Sequence, residues 1–170
     1  GEIEKSVKPP EFAIANMDSM DGDDTYSAAA MSGLDAWYEG YFGTETEGRV
    51  IVVGDPDLAD VADADGRLTL MERLGKNSLI VIPEGFSEGI SSGQGSYIET
   101  FWLQTETGMM GEVSSAMLSV VMAYLSDSAT KTYLISKGLT PDDAGLSLDL
   151  VNTGKNSTYL QGKLHDGVSP

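Results

Sequence analysis

The chain has 170 residues, with 41% hydrophobic content, no cysteine and a formal net charge of −17 from 27 acids against 10 bases. That length and apolar share fit one domain with a core of its own, so disorder is not the default for the chain. The acidic excess repels nucleic acid and anionic lipid headgroups, and the missing cysteines exclude disulfides and thiol chemistry.

Taken in order, 1–10 reads as a polar stalk or linker ending in Pro9-Pro10, and 11–151 reads as a single α/β domain. Phe12 to Met17 is the first strand, followed by an acidic loop with Asp18, Asp21, Asp23 and Asp24. Tyr26, Ala30, Leu34, Trp37 and Tyr41 recur at helical spacing and predict a helix over 26–41. Arg49 to Val53 is a second, apolar strand closed by Gly54-Asp55-Pro56. Helical spacing resumes at Leu58 and Val61, is interrupted at Asp65-Gly66, and runs on to a stop at Gly75.

Leu79-Ile80-Val81-Ile82 carries no charge and is rich in β-branched residues, as expected of a strand covered on both faces, and Pro83 ends its pairing. Phe86 to Ser92 allows one or two helical turns. A strand over 97–104 follows, alternating Ile98, Thr100, Trp102 and Gln104 with Tyr97, Glu99, Phe101 and Leu103, which suits an edge position. A long packing helix runs from Met109 to Lys137, with an apolar stripe through Met110, Val113, Met117, Val120, Val121, Tyr124 and Leu125 and a break expected near Ser126. Thr140-Pro141 opens a further short segment. Leu146, Leu148, Leu150 and Val151 read as one docked extended piece, and 152–170 as an irregular tail. The expected fold is α/β, with a mostly parallel four-stranded sheet, mixed if the edge strand 97–104 reverses, flanked by helices and one long C-terminal packing helix.

The stretch Leu79 to Glu88, hydrophobic strand then Ile-Pro-Glu-Gly-Phe-Ser, resembles a signature of the extracytoplasmic domain of ABC-2 type transporter permeases, and the element order from Glu11 to Gly138 resembles that domain too. The resemblance implies a non-catalytic domain set between two membrane helices of a bacterial exporter subunit, on the outer side of the cell membrane. It implies a separate cytoplasmic ATPase subunit as partner and a permease dimer. ATP belongs on that other subunit, in agreement with the missing phosphate-binding Gly-Lys loop. It also implies that Pro9 and the segment near Gly162 lie on one side of the domain, since both ends lead to the membrane. The competing reading is a free-standing secreted or surface-exposed ligand-binding module.

Several constellations invite chemistry. Val61 to Glu72 partly matches a calcium loop, offering Asp63, Asp65 and Glu72, but Val61 stands where the first acidic ligand belongs. The plainer reading is an acidic helix–turn with Gly66 in a left-handed conformation, and a solvated loop at Asp18 to Asp24. Gly89-Ile90-Ser91-Ser92-Gly93 matches a hydrolase elbow in letters, but Pro83 ends the strand too early and the single histidine, His165, sits in the tail. Trp37, Tyr97, Phe101 and Trp102 are candidates for a ligand or partner surface, with core packing as the default, and Met109, Met110, Met117 and Met122 pose the same question. Asn156-Ser157-Thr158 fits a glycosylation acceptor. No catalytic set and no cofactor site emerges, and a metal-dependent hydrolase finds little support.

Overall fold

A computed structural model describes residues 9–43, 48–104, 109–140 and 150–166. Most of the stalk, the segment opened at Pro141, and Leu146 and Leu148 lie outside the described residues. The elements are β1 (Phe12–Asn16), α1 (Thr25–Phe42), β2 (Val50–Val52), α2 (Asp55–Val61), α3 (Ala64–Leu74), β3 (Ser78–Ile82), α4 (Phe86–Ser91), β4 (Ser96–Gln104), α5 (Met109–Ser136), β5 (Val151–Leu160) and β6 (Lys163–Asp166).

The α/β class holds, but the sheet has six strands in the order β2-β1-β3-β4-β5-β6 and is mixed. β1 pairs in parallel with β2 and β3, β4 runs antiparallel to β3, and β5 returns parallel to β4. The physical reason for the reversal is length. A parallel return beside β3 must retrace a five-residue strand of about 16 Å, whereas the six residues of α4 cover about 9 Å, so the chain doubles back. β4 is therefore an interior strand rather than an edge.

Residues 152–166 are also not an irregular tail: they complete the sheet as β5 and β6. Their polar composition hides the strand because burial is concentrated at Ser157, Thr158 and Tyr159. The pairing of Tyr97 with Asn152 and of Glu99 with Lys155 leaves one extra β5 residue, a bulge around Thr153-Gly154. Gln161 and Gly162 both have positive φ, at 52° and 79°, as a two-residue type I′ hairpin turn requires between Leu160 and Lys163.

β3 is buried along its whole length, as its sequence predicts. On one face Ile80 and Ile82 join Phe12, Ile14, Ile98 and Trp102 beneath α1, α4 and α5. On the other, Leu79 and Val81 join Ala13, Ala15 and Phe101 beneath α2 and α3. The crossover β1–α1–β2 moves one way across the sheet over the first face, and β2–α2–α3–β3 moves back over the second, so both turn with the same hand.

Two helix details differ from expectation. The break between α2 and α3 falls at Ala62-Asp63, and Gly66 lies inside α3 rather than in a left-handed turn. Gly66 is needed for space, because a Cβ there would lie 2.5 Å from the Asp60 carbonyl oxygen. α5 is unbroken through Ser126 to Ser128, and its buried stripe runs through Leu118, Val121, Met122, Leu125 and Ala129, leaving Val120 exposed.

α1 and α5 pack tightly where Gly33 faces Ser128: a Cβ on Gly33 would sit 2.0 Å from Ser128 Oγ. Gly33→Ala should therefore destabilise the domain by about 1–3 kcal/mol, despite the gain in helix propensity of about 1 kcal/mol. In a Ser128→Gly background the same change should become neutral or stabilising, as read by urea denaturation. Equal effects in both backgrounds would disprove the contact.

Candidate functional site

The motif at the end of β3 has a specific physical role. Pro83 ends the pairing, Gly85 takes a left-handed φ of 77°, Phe86 enters the core, and Ser87 is delivered beneath the start of α1. β1 and β3 are neighbours whose onward connections diverge, the arrangement that leaves a ligand crevice in many α/β proteins. Here the chain fills it. Asp18, fully buried just beyond β1, accepts a hydrogen bond from Ser87 Oγ at 2.6 Å and from the Ser87 amide at 3.2 Å. Ser87 Oγ in turn accepts from the amides of Tyr26 at 3.0 Å and Ser27 at 3.4 Å, in the first turn of α1. The acidic loop is thus not wholly solvated: Asp18 is an internal anchor, while Asp23 accepts from the Thr25 amide and hydroxyl. Ser87 is fully buried, with its hydroxyl taken up by Asp18 and the first amides of α1, so it is not presented to a substrate as a nucleophile.

The four aromatic candidates do not converge. Trp37 and Trp102 belong to the core beneath α1 and α5, whereas Phe101 lies on the opposite face with the Arg67 guanidinium 4.2 Å above its ring. Tyr97 lies under the Lys155 ammonium at 4.1 Å. What sequence reasoning missed is a shallow recess of about 470 Å³ between α1 and α5, in which Trp37 stacks on Tyr124 at 4.9 Å beside Gly40 and Tyr41. The two glycines of α1, which cost stability inside a helix, were the available signal. Met122 is buried and takes the Thr100 hydroxyl at 3.5 Å, and Met117 is half-buried; the side chains of Met109 and Met110 lie outside the described residues.

The partial calcium loop does not form. Asp63 is the N-cap of α3, accepting from the Gly66 amide at 2.9 Å, and Glu72 is near the other end of that helix, about 13 Å along its axis. Among the described residues no three carboxylate or imidazole groups are gathered as metal ligands. Ser91 is exposed at the end of α4 and donates to Glu88 O, and His165 lies on the edge strand β6, so the elbow-like letters assemble no triad. Asn156-Ser157-Thr158 lies within the sheet, between β4 and β6, with Thr158 buried.

One further polar knot joins distant segments. Arg67 donates to Tyr159 Oη at 3.2 Å and to Val61 O at 2.9 Å, and Tyr159 Oη donates to Ala64 O at 2.6 Å. Burial raises the Tyr159 pKa, opposed by Arg67, and burial also raises those of Tyr38 and Tyr97.

The fold and the filled crevice define a helix-covered α/β domain whose buried polar chemistry is internal bracing. No family model matches the chain, and no curated protein matches it. Among solved structures it is similar to the crystal structure of a domain of a candidate ABC type-2 transporter from Thermotoga maritima MSB8, at 23% identity and a TM-score of 0.64, covering 94% of this chain and 92% of that one. The two share a fold. Among the described residues no helix is long and apolar enough to cross a membrane.

Two predictions follow from these knots. Ser87→Ala and Asp18→Ala should each cost about 2–4 kcal/mol in urea unfolding, and the double variant clearly less than the sum, because both remove one buried network; strict additivity would contradict the coupling. In a spectrophotometric titration Tyr159 should ionise above its ordinary value near pH 10, and Arg67→Met should push it higher still. Because the fold favours the neutral phenol, its contribution to stability is complete below pH 10 and is lost as pH rises through the folded value. Release of all seven tyrosine protons in one step near pH 10 would refute this.

Proposed function

We propose that this chain is the extracytoplasmic domain of an ABC-2 type permease subunit, a non-catalytic part of an exporter whose ATPase is a separate cytoplasmic subunit. The observation that carries the reading is the fold likeness to the Thermotoga transporter domain across nearly the whole of both chains. The Ile-Pro-Glu-Gly-Phe-Ser stretch agrees with it, since each of its distinctive residues has a bracing role in this fold.

Strand register adds support. Ile51, Ala13, Leu79, Phe101, Ser157 and Asp166 form one row across all six strands. The second residue of β1 and the last residue of β6 are therefore level with each other, four strand spacings or about 19 Å apart. The Gly162 turn lies at the same end as Pro10. β6 runs in the same direction as β1, so this support rests on the level positions of Ala13 and Asp166 and of Pro10 and the Gly162 turn. Within such an exporter the domain would gate substrate, contact a second permease subunit or recruit a partner. The open recess between α1 and α5 favours a second reading, a free-standing ligand-binding module.

The absence of cysteine makes a direct test possible. In the protein expressed from its full natural gene, with any cysteine outside this segment replaced, Glu88→Cys should fractionate with membranes and react with a membrane-impermeant maleimide in intact cells. Reaction only after lysis would place the domain on the wrong side. Recovery in a soluble fraction would favour the ligand-binding module.

A further inference from the structure

The two ends of the sheet differ in charge. The segments that follow the carboxyl ends of β1 and β3, 17–25 and 83–95, contain Asp18, Asp21, Asp23, Asp24, Glu84 and Glu88 and no Lys or Arg. The opposite end, where β1 starts and β5 finishes, is closer to neutral. There Lys76 is buried and bridges Glu11 at 2.8 Å and the Gly48 carbonyl, cancelling the Glu11 charge. Arg49, Arg73 and the exposed Lys163 stand against Glu39 and Glu72 among the described residues, and the sequence of the connections 44–47 and 105–108 adds Glu45, Glu47 and Glu106.

That same end exposes two large side chains with apolar surface. Tyr38 Oη donates to Pro10 O at 2.8 Å, which fixes the last turns of α1 beside the entry to β1 and brings Tyr41 there, 71% exposed. Leu160, 42% exposed, stands at the end of β5 next to the hairpin turn and Lys163. A half-apolar phenol, an aliphatic side chain and a long-stemmed lysine are the residue types that settle at a bilayer–water interface.

We propose, resting on the permease reading above, that this end of the sheet lies on the outer surface of the bilayer that anchors the chain. Tyr41 and Leu160 enter the headgroup layer, and Lys163 meets lipid phosphate. The acidic segments point away from the membrane. The acids of those two segments do not oppose this contact, because β4 spans about 30 Å and its starting end adjoins them, several screening lengths of about 8 Å from the surface. The charge asymmetry then orients the domain: tipping it over would bring the exposed Asp23, Asp24, Glu84 and Glu88 against lipid phosphates.

The test uses the full-length protein reconstituted in lipid nanodiscs whose headgroups carry a nitroxide quencher. Single-cysteine variants Tyr41→Cys, Leu160→Cys and Glu88→Cys are labelled with one fluorophore. Quenching should be several-fold stronger at positions 41 and 160 than at 88. Equal, weak quenching at all three in a protein that does insert into nanodiscs overturns the proposed contact and leaves the permease reading standing. Failure of the protein to insert overturns both. Strong quenching at 88 with none at 41 overturns the orientation.

Discussion

A single buried carboxylate ties the fold together. Asp18 lies just beyond β1, Ser87 lies in the first turn of α4 just after β3, and the Ser87 hydroxyl reaches the first amides of α1, so one short chain of hydrogen bonds joins partners some 60 to 70 residues apart in sequence. Helix starts leave amides without intrahelical partners, and buried amides cannot be left unpaired cheaply. With no capping side chain of its own at the start of α1, the domain meets that demand from α4. The crevice where related architectures bind ligands is thereby occupied by the protein's own braces.

Two other polar ties extend the same logic outward. Lys76 holds the entry to β1 against the approach to β2 from its place just before β3, and Arg67 with Tyr159 fastens β5 to the turn between α2 and α3. Each joins segments that the hydrophobic core alone would leave free to slide, because the apolar faces of a sheet specify burial better than they specify the position of its ends. The result is a domain whose entry and β5–β6 turn lie at one end, while the acidic segments sit at the other.

Much of this was legible in the chain. The uncharged run Leu79 to Ile82 announced a central strand, and Gly75 marked a helix end where it indeed takes a left-handed φ of 68°. The parts that were not legible share one cause: their signals arise only from tertiary contact. β5 is half polar because only its last third is deeply buried, so alternation never appeared. Ser126 and Ser128 looked like a helix break, yet Ser128 is small because Gly33 packs on it. Asp18 was indistinguishable from its exposed neighbours until Ser87, 69 residues later, came beside it. Trp37 could be singled out from sequence, but its partner Tyr124 could not, since stacking across two helices leaves no local pattern.

The bracing account rests on Asp18, Ser87 and the start of α1 behaving as one unit with the core. Native-state hydrogen exchange followed by NMR measures this directly. The amides of Tyr26, Ser27 and Ser87 should exchange only by global unfolding, with the same free energy and denaturant dependence as Ile80 and Val81 in β3. If those three amides instead exchange early, together with the exposed turns, the buried carboxylate does not hold the fold together.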